Sequence, residues 1–325
     1  MDDRTRRLLA LCALSGDDGR LDWSLIAREA VRHGGLDRLY RGELLELSAD
    51  ARKALPLLRQ CLDLDVIAPS GDLDRAYERV DAELIAAEKV GARLVTVLDD
   101  SYPVNLRLIP NLPPFLFFLG ADLDSSAVLS VAVVGTRKPT DRGIDLARLM
   151  AQQLVENGVT VVSGLAAGID TAAHTATLDA GGRTLAVIGT GITRTYPKEN
   201  AGLSQRIIDS GGTVMSQFWP TSSPARWTFP RRNAVMSGVS QGTVVIEASS
   251  TSGAKMQARL ALEHGKRVFL LRSLVTDHRW AQNYLTRGAI EVGKVSDVVD
   301  RLTPVERVQS SVAGRQQLAL FDDAL

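Results

Sequence analysis

The chain has 325 residues, of which 45% are hydrophobic and 23% are charged, a composition typical of folded globular proteins and a length that fits about two domains. Its 38 Lys and Arg residues balance 38 Asp and Glu residues, which excludes a global cationic field, so nucleic acid must bind at a local patch if it binds at all. Because no apolar run is long enough to cross a bilayer, no convincing export signal opens the chain and the two cysteines lack metal spacing, we predict a cytoplasmic protein with no membrane partner.

The first 88 residues carry apolar side chains at helical spacing. Leu8, Leu9 and Leu11 mark one helical segment, and Asp72 is a plausible N-cap for a longer amphipathic one. The pattern predicts an N-terminal helical domain over residues 1–88. Such a domain could contact DNA, drive oligomerisation or act as a lid, and the sequence leaves these roles open.

Residues 115–120 place three phenylalanines in one short apolar run. Such a run is either a platform on which bases stack or a buried strand. We favour the buried strand, next to a second strand-like segment at residues 93–98.

Short apolar runs then alternate with helical segments, which is typical of a parallel sheet that is covered on both faces. The predicted strands are residues 131–134, 159–163, 184–188, 213–216, 243–247 and 267–271. Six such strands with right-handed crossovers predict an α/β fold with a doubly wound, mostly parallel sheet. Ligands of such sheets bind beyond the carboxyl ends of the strands, so we expect these loops to form the functional site.

The loop after the first of these strands reads Gly135-Thr136-Arg137-Lys138 and leads into a helix. Two cations beside helix N-terminal amides favour a phosphate. The alternative is that Arg137 pairs with a local carboxylate.

Two later loops repeat this chemistry. In the loop that begins at Ser163, Gly164 and Gly168 would let a ligand approach the backbone closely. The first loop, at Gly135, lacks the dinucleotide fingerprint, which disfavours nicotinamide cofactors.

A further helix begins with Arg231, Arg232 and Asn233, whose side chains suit contacts with phosphates and bases. The aromatic side chains beside them, which either stack on bases or fill the sheet edge, are Trp219, Trp227 and Phe229.

The predicted site is poor in catalytic groups. No Cys/His pair, metal spacing or Walker lysine loop is present, and we predict no catalytic residue, no metal and no cofactor. The Asp170 and His174 pair suggests a structural hydrogen bond, and Glu247 suggests a residue that orients a loop or caps a helix.

Together these motifs, with Gly189-Thr190-Gly191 and the segment 196–200, resemble the DNA-processing protein A family (DprA, or Smf) over residues 102–302. The resemblance implies an extended Rossmann-like domain, residues 89–302, that binds single-stranded DNA in recombination and DNA uptake without catalysis. It also implies protection of the strand, loading of the RecA recombinase and a homodimer. We expect this chain to lack the C-terminal winged-helix domain that many family members have.

Carried over residue by residue, the family's motifs place Arg137 on a phosphate and Asp170 as the organiser of the second loop. Two usual basic positions are Ala167 and Ala234 here, and Lys255 and Arg272 are candidate replacements. The residues predicted to bind DNA are Gly135, Thr136, Arg137, Lys138, Ser163, Gly164, Gly168, Arg231, Arg232, Asn233 and Lys255.

Residues 303–325 form a mostly polar tail that we predict to be flexible. Its segment 317–321 resembles the short peptide that docks on the DNA sliding clamp. Gln317 would fix the register while Leu318, Leu320 and Phe321 enter an apolar pocket. The alternative is that these apolar residues pack against their own domain.

Two other functions stay open. Residues 242–247 resemble an element of nucleoside-monophosphate phosphoribohydrolases, which leaves a nucleotide sensor or a hydrolase as an alternative. The second alternative function is that of a DNA sensor in phage defence.

Overall fold

The computed structural model describes residues 1–14, 22–46, 48–62, 64, 71–122, 129–304, 306–308 and 310. The predicted clamp peptide, with Gln317, Leu318, Leu320 and Phe321, lies outside these residues. In the described residues the helices are α1 (Asp3–Leu14), α2 (Trp23–Ala30), α3 (Gly35–Tyr40), α4 (Ala49–Cys61), α5 (Asp72–Lys89), α6 (Asp141–Glu156), α7 (Ile169–Asp179), α8 (Ala201–Asp209), α9 (Thr228–Val239), α10 (Gly253–Glu263), α11 (Arg272–Asp277), α12 (Arg279–Leu285) and α13 (Ser296–Val299).

One sheet of nine strands runs through this described part of the chain. The strands are β1 (Arg93–Thr96), β2 (Phe115–Gly120), β3 (Ser130–Val134), β4 (Thr160–Ser163), β5 (Thr184–Val187), β6 (Thr213–Ser216), β7 (Gly242–Val245), β8 (Arg267–Leu271) and β9 (Ile290–Val292). Their order is β1-β2-β6-β5-β4-β3-β7-β8-β9. All neighbours from β6 to β9 are parallel, and β1 and β2 add an antiparallel edge. The predicted α/β class with a mostly parallel, Rossmann-like sheet is therefore confirmed.

The strand order reverses beside β3. From β3 the chain builds outward through β4, β5 and β6, and it then crosses back to place β7 on the other side of β3. This reversal opens a crevice beyond the carboxyl ends of β3 and β7, the usual ligand position in a doubly wound sheet.

The parallel strands are apolar because helices cover both faces of the sheet. Strands β3 to β7 are buried along their full length. One core lies between the sheet and α6, α7 and α13, and a larger one continues from the opposite face into the N-terminal helices. Each buried Val or Leu side chain contributes about 1.5–3 kcal/mol through the apolar area it removes from water.

The phenylalanine-rich segment is the buried strand that its sequence favoured. Phe115 and Phe117 in β2 are fully buried. Phe115 lies 4.7 Å from the ring of Trp219 and 5.1 Å from that of Trp23 in α2. These three rings join the N-terminal helices to the sheet, and the burial of Phe115 and Phe117 prevents either ring from stacking on a base.

Strand β9 lies at the far edge and was not predicted. It has three residues, of which Val292 is buried, so its pattern is too short to be recognised. In the described chain, no helix combines the length and the apolarity needed to cross a bilayer.

Candidate nucleic-acid interface

A pocket of about 340 Å³ opens at the reversal of strand order. The end of β3 and its loop contribute Val134, Gly135, Thr136 and Arg137, and the loop after β7 contributes Ser249 and Ser252. Helices α9 and α10 form the remaining wall. The pocket size is within the range of small-ligand sites, and its position is the one that the sequence predicted.

Arg137 stands at the rim of this pocket. Its side chain is exposed, and its guanidinium carbon lies 5.3 Å from the ring centroid of Phe229. Phe229 in turn packs 5.8 Å from the ring of Tyr196, whose residue is 43% exposed. The cation–π contact thus orients the guanidinium, whose N–H groups can donate to a phosphate.

Arg232 is the second arginine of the pocket, and it is only 6% exposed. Its Nη1 donates to the carbonyl of Val187 at 3.0 Å. Its Nε is buried without a hydrogen-bond partner among the described residues. A buried guanidinium is costly unless a negative charge lies near it, and Arg232 has the carboxylate of Asp170 as that charge.

The two glycines of the second loop let other parts of the protein approach its backbone closely. A Cβ on Gly164 would coincide with Nη1 of Arg232, and one on Gly168, whose φ is +83°, would collide with the carbonyl of Thr136. Both glycines therefore let the arginine and the first loop approach closely.

Asp170 organises this loop, as the family resemblance implies. Its Oδ2 accepts from the amides of Gly164 at 3.1 Å and Ala166 at 3.4 Å. Burial raises the pKa of Asp170, and the charge of Arg232 opposes that rise. The carboxylate is thus used to hold backbone and to balance the buried arginine.

Asn200, which the sequence placed in a family motif without a role, supports the same loop. Leu165 adopts a left-handed φ of 57°, which is a strained conformation for a leucine. Asn200 holds it there, because its Nδ2 donates to the carbonyl of Leu165 at 2.8 Å and to Thr171 Oγ1 at 2.9 Å.

Glu247 orients the first loop, as its position after β7 suggested. Its carboxylate accepts from the backbone N of Thr140 at 3.2 Å and from Thr140 Oγ1 at 2.8 Å, and Thr140 is the N-cap of α6. The N-terminus of α6 is therefore occupied by the protein's own carboxylate. This corrects the expectation that α6 binds the phosphate.

The N-terminus of α10 borders the pocket. Its first residues Gly253 and Ala254 and its cap Ser252 line the pocket, so its dipole favours an anion there. Asn233 also lines the pocket, and its Nδ2 donates to the carbonyl of Gly253 at 3.4 Å.

Three basic residues that the sequence singled out, Lys138, Lys255 and Arg272, lie outside the pocket lining. Lys138 is exposed outside it. The amine of Lys255 donates to the carbonyl of Ser250 at 3.0 Å and lies outside the pocket lining. Arg272 is exposed and forms an ion pair with Glu291 at 2.9 Å. Ala167, where the resemblance implies a basic residue, is exposed.

A second pairing of arginine and aromatic ring lies beside the pocket. Arg231 is exposed and its guanidinium lies 4.9 Å from the ring of Trp227, which is 42% exposed and packs on Phe218. Trp219 differs, since it is 1% exposed and packs in the core. Trp227 therefore has the accessible ring, and Trp219 fills the sheet edge.

The remaining polar residues of the predicted site are structural. Ser163 is fully buried and its hydroxyl donates to the carbonyl of Val133 at 2.7 Å. The sequence suggested a hydrogen bond between His174 and Asp170, and this was wrong. Nδ1 of His174 instead contacts Thr184 Oγ1 at 2.7 Å.

The loop that carries Trp227 is held by the N-terminal helices. Glu83 of α5 is 8% exposed, and its carboxylate accepts from the backbone N and the hydroxyl of Thr221 at 2.9 and 2.7 Å. The carbonyl of Thr221 then accepts from Arg194 Nε at 3.0 Å. The helical region thus positions one side of the interface.

Comparison with known proteins matches the model of the family "DNA recombination-mediator protein A" to residues 93–303. The chain is similar to the DNA processing protein DprA of Streptococcus pneumoniae, with 39% identity over 64% of this chain and 73% of that protein. It is 42% identical to the protein Smf of Synechocystis over 55% of this chain. That match spans 46% of the Synechocystis protein, about half its length.

Two solved structures share the fold. The DprA structure from Streptococcus pneumoniae aligns with a TM-score of 0.71 and 30% identity, covering 94% of this chain and all of that one. The Helicobacter pylori DprA structure, described for its mode of binding single-stranded DNA, aligns with a TM-score of 0.57 and 24% identity. It covers 65% of this chain and 94% of that one.

Proposed function

The chain belongs to the DNA recombination-mediator protein A family, and from this premise we propose that it binds single-stranded DNA at the pocket between β3 and β7. The observation that carries the proposal is the convergence of Arg137, Arg232 and the N-terminus of α10 on one pocket. Phosphates of a strand would bind there, and its bases would stack on the exposed rings of Trp227 and Tyr196.

Duplex DNA is a poorer ligand for this arrangement. Trp227 and Tyr196 can stack only on bases that are unpaired and splayed out. The pocket also recesses Arg232 below the surface, where a flexible single strand reaches it more readily than a stiff double helix does.

The protein acts in this proposal by binding and not by catalysis. The carboxylates closest to the pocket are already engaged, since Asp170 holds the amides of Gly164 and Ala166 and Glu247 holds Thr140. A hydrolase would need a carboxylate that is free to act on a substrate or a water.

The bound protein would protect the strand and promote loading of the RecA recombinase, and a homodimer would extend the DNA path.

Binding of fluorescent oligo-dT, followed by anisotropy at several salt concentrations, tests the proposal. We expect an affinity that falls as salt rises and a preference for single strands over duplex. Arg137→Ala should weaken binding by about tenfold or more, whereas Arg272→Ala, which removes an exposed arginine outside the pocket, should bind as wild type does. Equal binding by both variants would place the DNA elsewhere.

The tail is a separate part of the proposal. Residues 317–321 would dock in an apolar groove of the sliding clamp, with the side chain of Gln317 fixing the register. A peptide of residues 315–325 should bind purified clamp, and Phe321→Ala should abolish the interaction. Failure of the wild-type peptide to bind would remove this part without affecting DNA binding at the pocket.

A further inference from the structure

The carboxylate of Glu83 joins the helical domain to the loop after β6. Glu83 is buried, whereas Glu78 and Glu88 of the same helix are exposed. Its Oε2 accepts from the backbone N of Thr221 at 2.9 Å and its Oε1 accepts from the hydroxyl at 2.7 Å. A carboxylate is costly to bury unless hydrogen bonds replace its water, and bonds to an ionised group are stronger than neutral ones. The contact is therefore a directional link between α5 and the loop.

The loop after β6 is fastened in turn to the loop after β5. The carbonyl of Pro220 accepts from the backbone N of Thr193 at 3.1 Å and from its hydroxyl at 2.6 Å. The carbonyl of Thr221 accepts from Nε of Arg194 at 3.0 Å. A Cβ on Gly191 would collide with the carbonyl of Pro220, so the two backbones touch there. The two loops therefore form one body, and the contact with α5 holds both of them.

Each of the joined loops carries an exposed aromatic ring. Tyr196 follows Arg194 by two residues and is exposed. Trp227 follows Thr221 by six residues and is also exposed, with its ring 5.7 Å from that of the buried Phe218. These are the two rings on which unpaired bases would stack. Their positions depend on the loops that α5 holds.

A second contact from α5 holds the start of the loop after β6. Arg79 lies one helical turn before Glu83, and its guanidinium carbon is 5.5 Å from the ring centroid of Trp219. Trp219 also packs 6.1 Å from the ring of Trp23 in α2. Because this aromatic contact does not involve the carboxylate, a change at Glu83 should alter the loop beyond Trp219 and leave the buried rings in place.

We infer that Glu83 is a positioning residue for the binding of single-stranded DNA. From the helical domain it fixes the joined loops, and through them the rings of Trp227 and Tyr196, without touching the strand. The inference rests on the proposed function, because the placement of the rings matters only where bases stack on them. The helical domain thereby contributes to DNA binding through these loops.

Glu83→Gln tests the inference in the full chain, by anisotropy with oligo-dT. The amide keeps the size of the side chain but replaces one oxygen with an NH2 group, which cannot accept from Thr221. We expect the affinity to fall by about fivefold or more, because the stacking of bases depends on where the rings lie. Glu78→Gln, at an exposed position of the same helix, removes the same charge and should bind as wild type does. Loss of a negative charge by itself does not weaken binding to a polyanion, so a fall is specific to the contact.

Thr221→Val tests the other side of the contact. Thr221 is exposed, so the variant should fold, and valine removes the hydroxyl that donates to Glu83 while the backbone N–H stays. We expect a smaller loss of affinity, of about threefold. Wild-type affinity in both Thr221→Val and Glu83→Gln would overturn the inference. If circular dichroism shows that Glu83→Gln does not fold, the affinity of Thr221→Val decides alone.

A background without the two rings separates positioning from a general structural role. In a chain that carries Trp227→Ala and Tyr196→Ala no ring is left to position, so Glu83→Gln should change the affinity at low salt by less than about twofold. A loss as large as in the wild-type background would overturn the inference, because Glu83 would then act through another part of the protein.

The wild-type chain distinguishes this inference from the proposed function. If the wild type binds oligo-dT and Glu83→Gln binds it equally well, the inference is overturned and DNA binding stands. If the wild type does not bind oligo-dT, the DNA-binding proposal is overturned and the inference falls with it.

Discussion

The guanidinium of Arg232 lies against the backbone of Gly164, in the space that a side chain at that position would occupy. This contact links α9 to the loop after β4. The same loop also stabilises the charge of Arg232. The carboxylate of Asp170 accepts from the amide of Gly164, and its negative charge offsets the positive charge of Arg232. The glycine, the arginine and the aspartate thus form one unit that holds a buried positive charge beside the pocket.

Gly164→Ala should therefore weaken DNA binding without unfolding the protein. The new methyl group would displace a guanidinium that is otherwise fixed by Val187, and anisotropy with oligo-dT should show a loss of about tenfold. Gly202→Ala, at a helical glycine with no atom near its Cβ position, is the control and should bind normally. A Gly164→Ala protein with wild-type affinity would show that Arg232 is not needed.

Much of the sheet was predictable because its strands are short apolar runs between loops that contain glycine. The segment 131–134 and its helix, for example, were found at the correct places. The adjacency of β3 and β7 could not be read in this way. It joins residues more than a hundred positions apart, and only the sheet order places their loops at one pocket.

The site was predicted less completely than the sheet, for a physical reason. Sequence motifs identify groups that suit a phosphate, but they do not show which of these groups the protein uses internally. Glu247 occupies the α6 N-terminus and Arg232 occupies the space beside Gly164, and both contacts are tertiary. Met236, which lines the pocket from α9, was missed because an apolar residue in a helix resembles an ordinary core residue.

Trp227 and Trp219 should respond in opposite ways to substitution. Trp227→Ala removes an exposed ring that can stack on a base, so it should weaken binding to single strands and leave the melting temperature nearly unchanged. Trp219→Ala empties a core position and should lower the free energy of unfolding by about 3–5 kcal/mol. Denaturant melts combined with anisotropy distinguish the two effects. Equal destabilisation by both would contradict the assigned environments.

His174 makes the stability of the protein depend on pH. Burial and the repulsion from Arg232 lower the pKa of His174 to about 3, while its value in the unfolded chain is about 6.5. Between these values the unfolded state binds a proton that the folded state does not, so stability falls as pH is lowered below about 6.5. The slope from this group is about 1.4 kcal/mol per pH unit.

His174→Asn tests this linkage. The asparagine amide can still donate to Thr184, as the Nδ1–H of the neutral imidazole does, because the Thr184 hydroxyl itself donates to the carbonyl of Val161 at 2.8 Å. Urea unfolding at pH 7, 6 and 5 should show a shallower loss of stability than in the wild type. A residual slope is expected from His264, whose pKa burial lowers to about 4. Identical slopes in the two proteins would refute the assignment to His174.

Ala167→Arg should increase affinity for single strands. Ala167 is exposed on the loop whose neighbours Ala166 and Asp170 line the pocket, and it stands where the resemblance to the family implies a basic residue. A new guanidinium at this position would add about one phosphate contact, so affinity at low salt should rise and the slope of log K against log salt should steepen by about 0.7. Ala167→Glu is the matched reversal of charge and should weaken binding. If neither variant changes the affinity or the slope, the strand does not pass over this loop, and the DNA path must be confined to Arg137, Arg231 and the rings beside them.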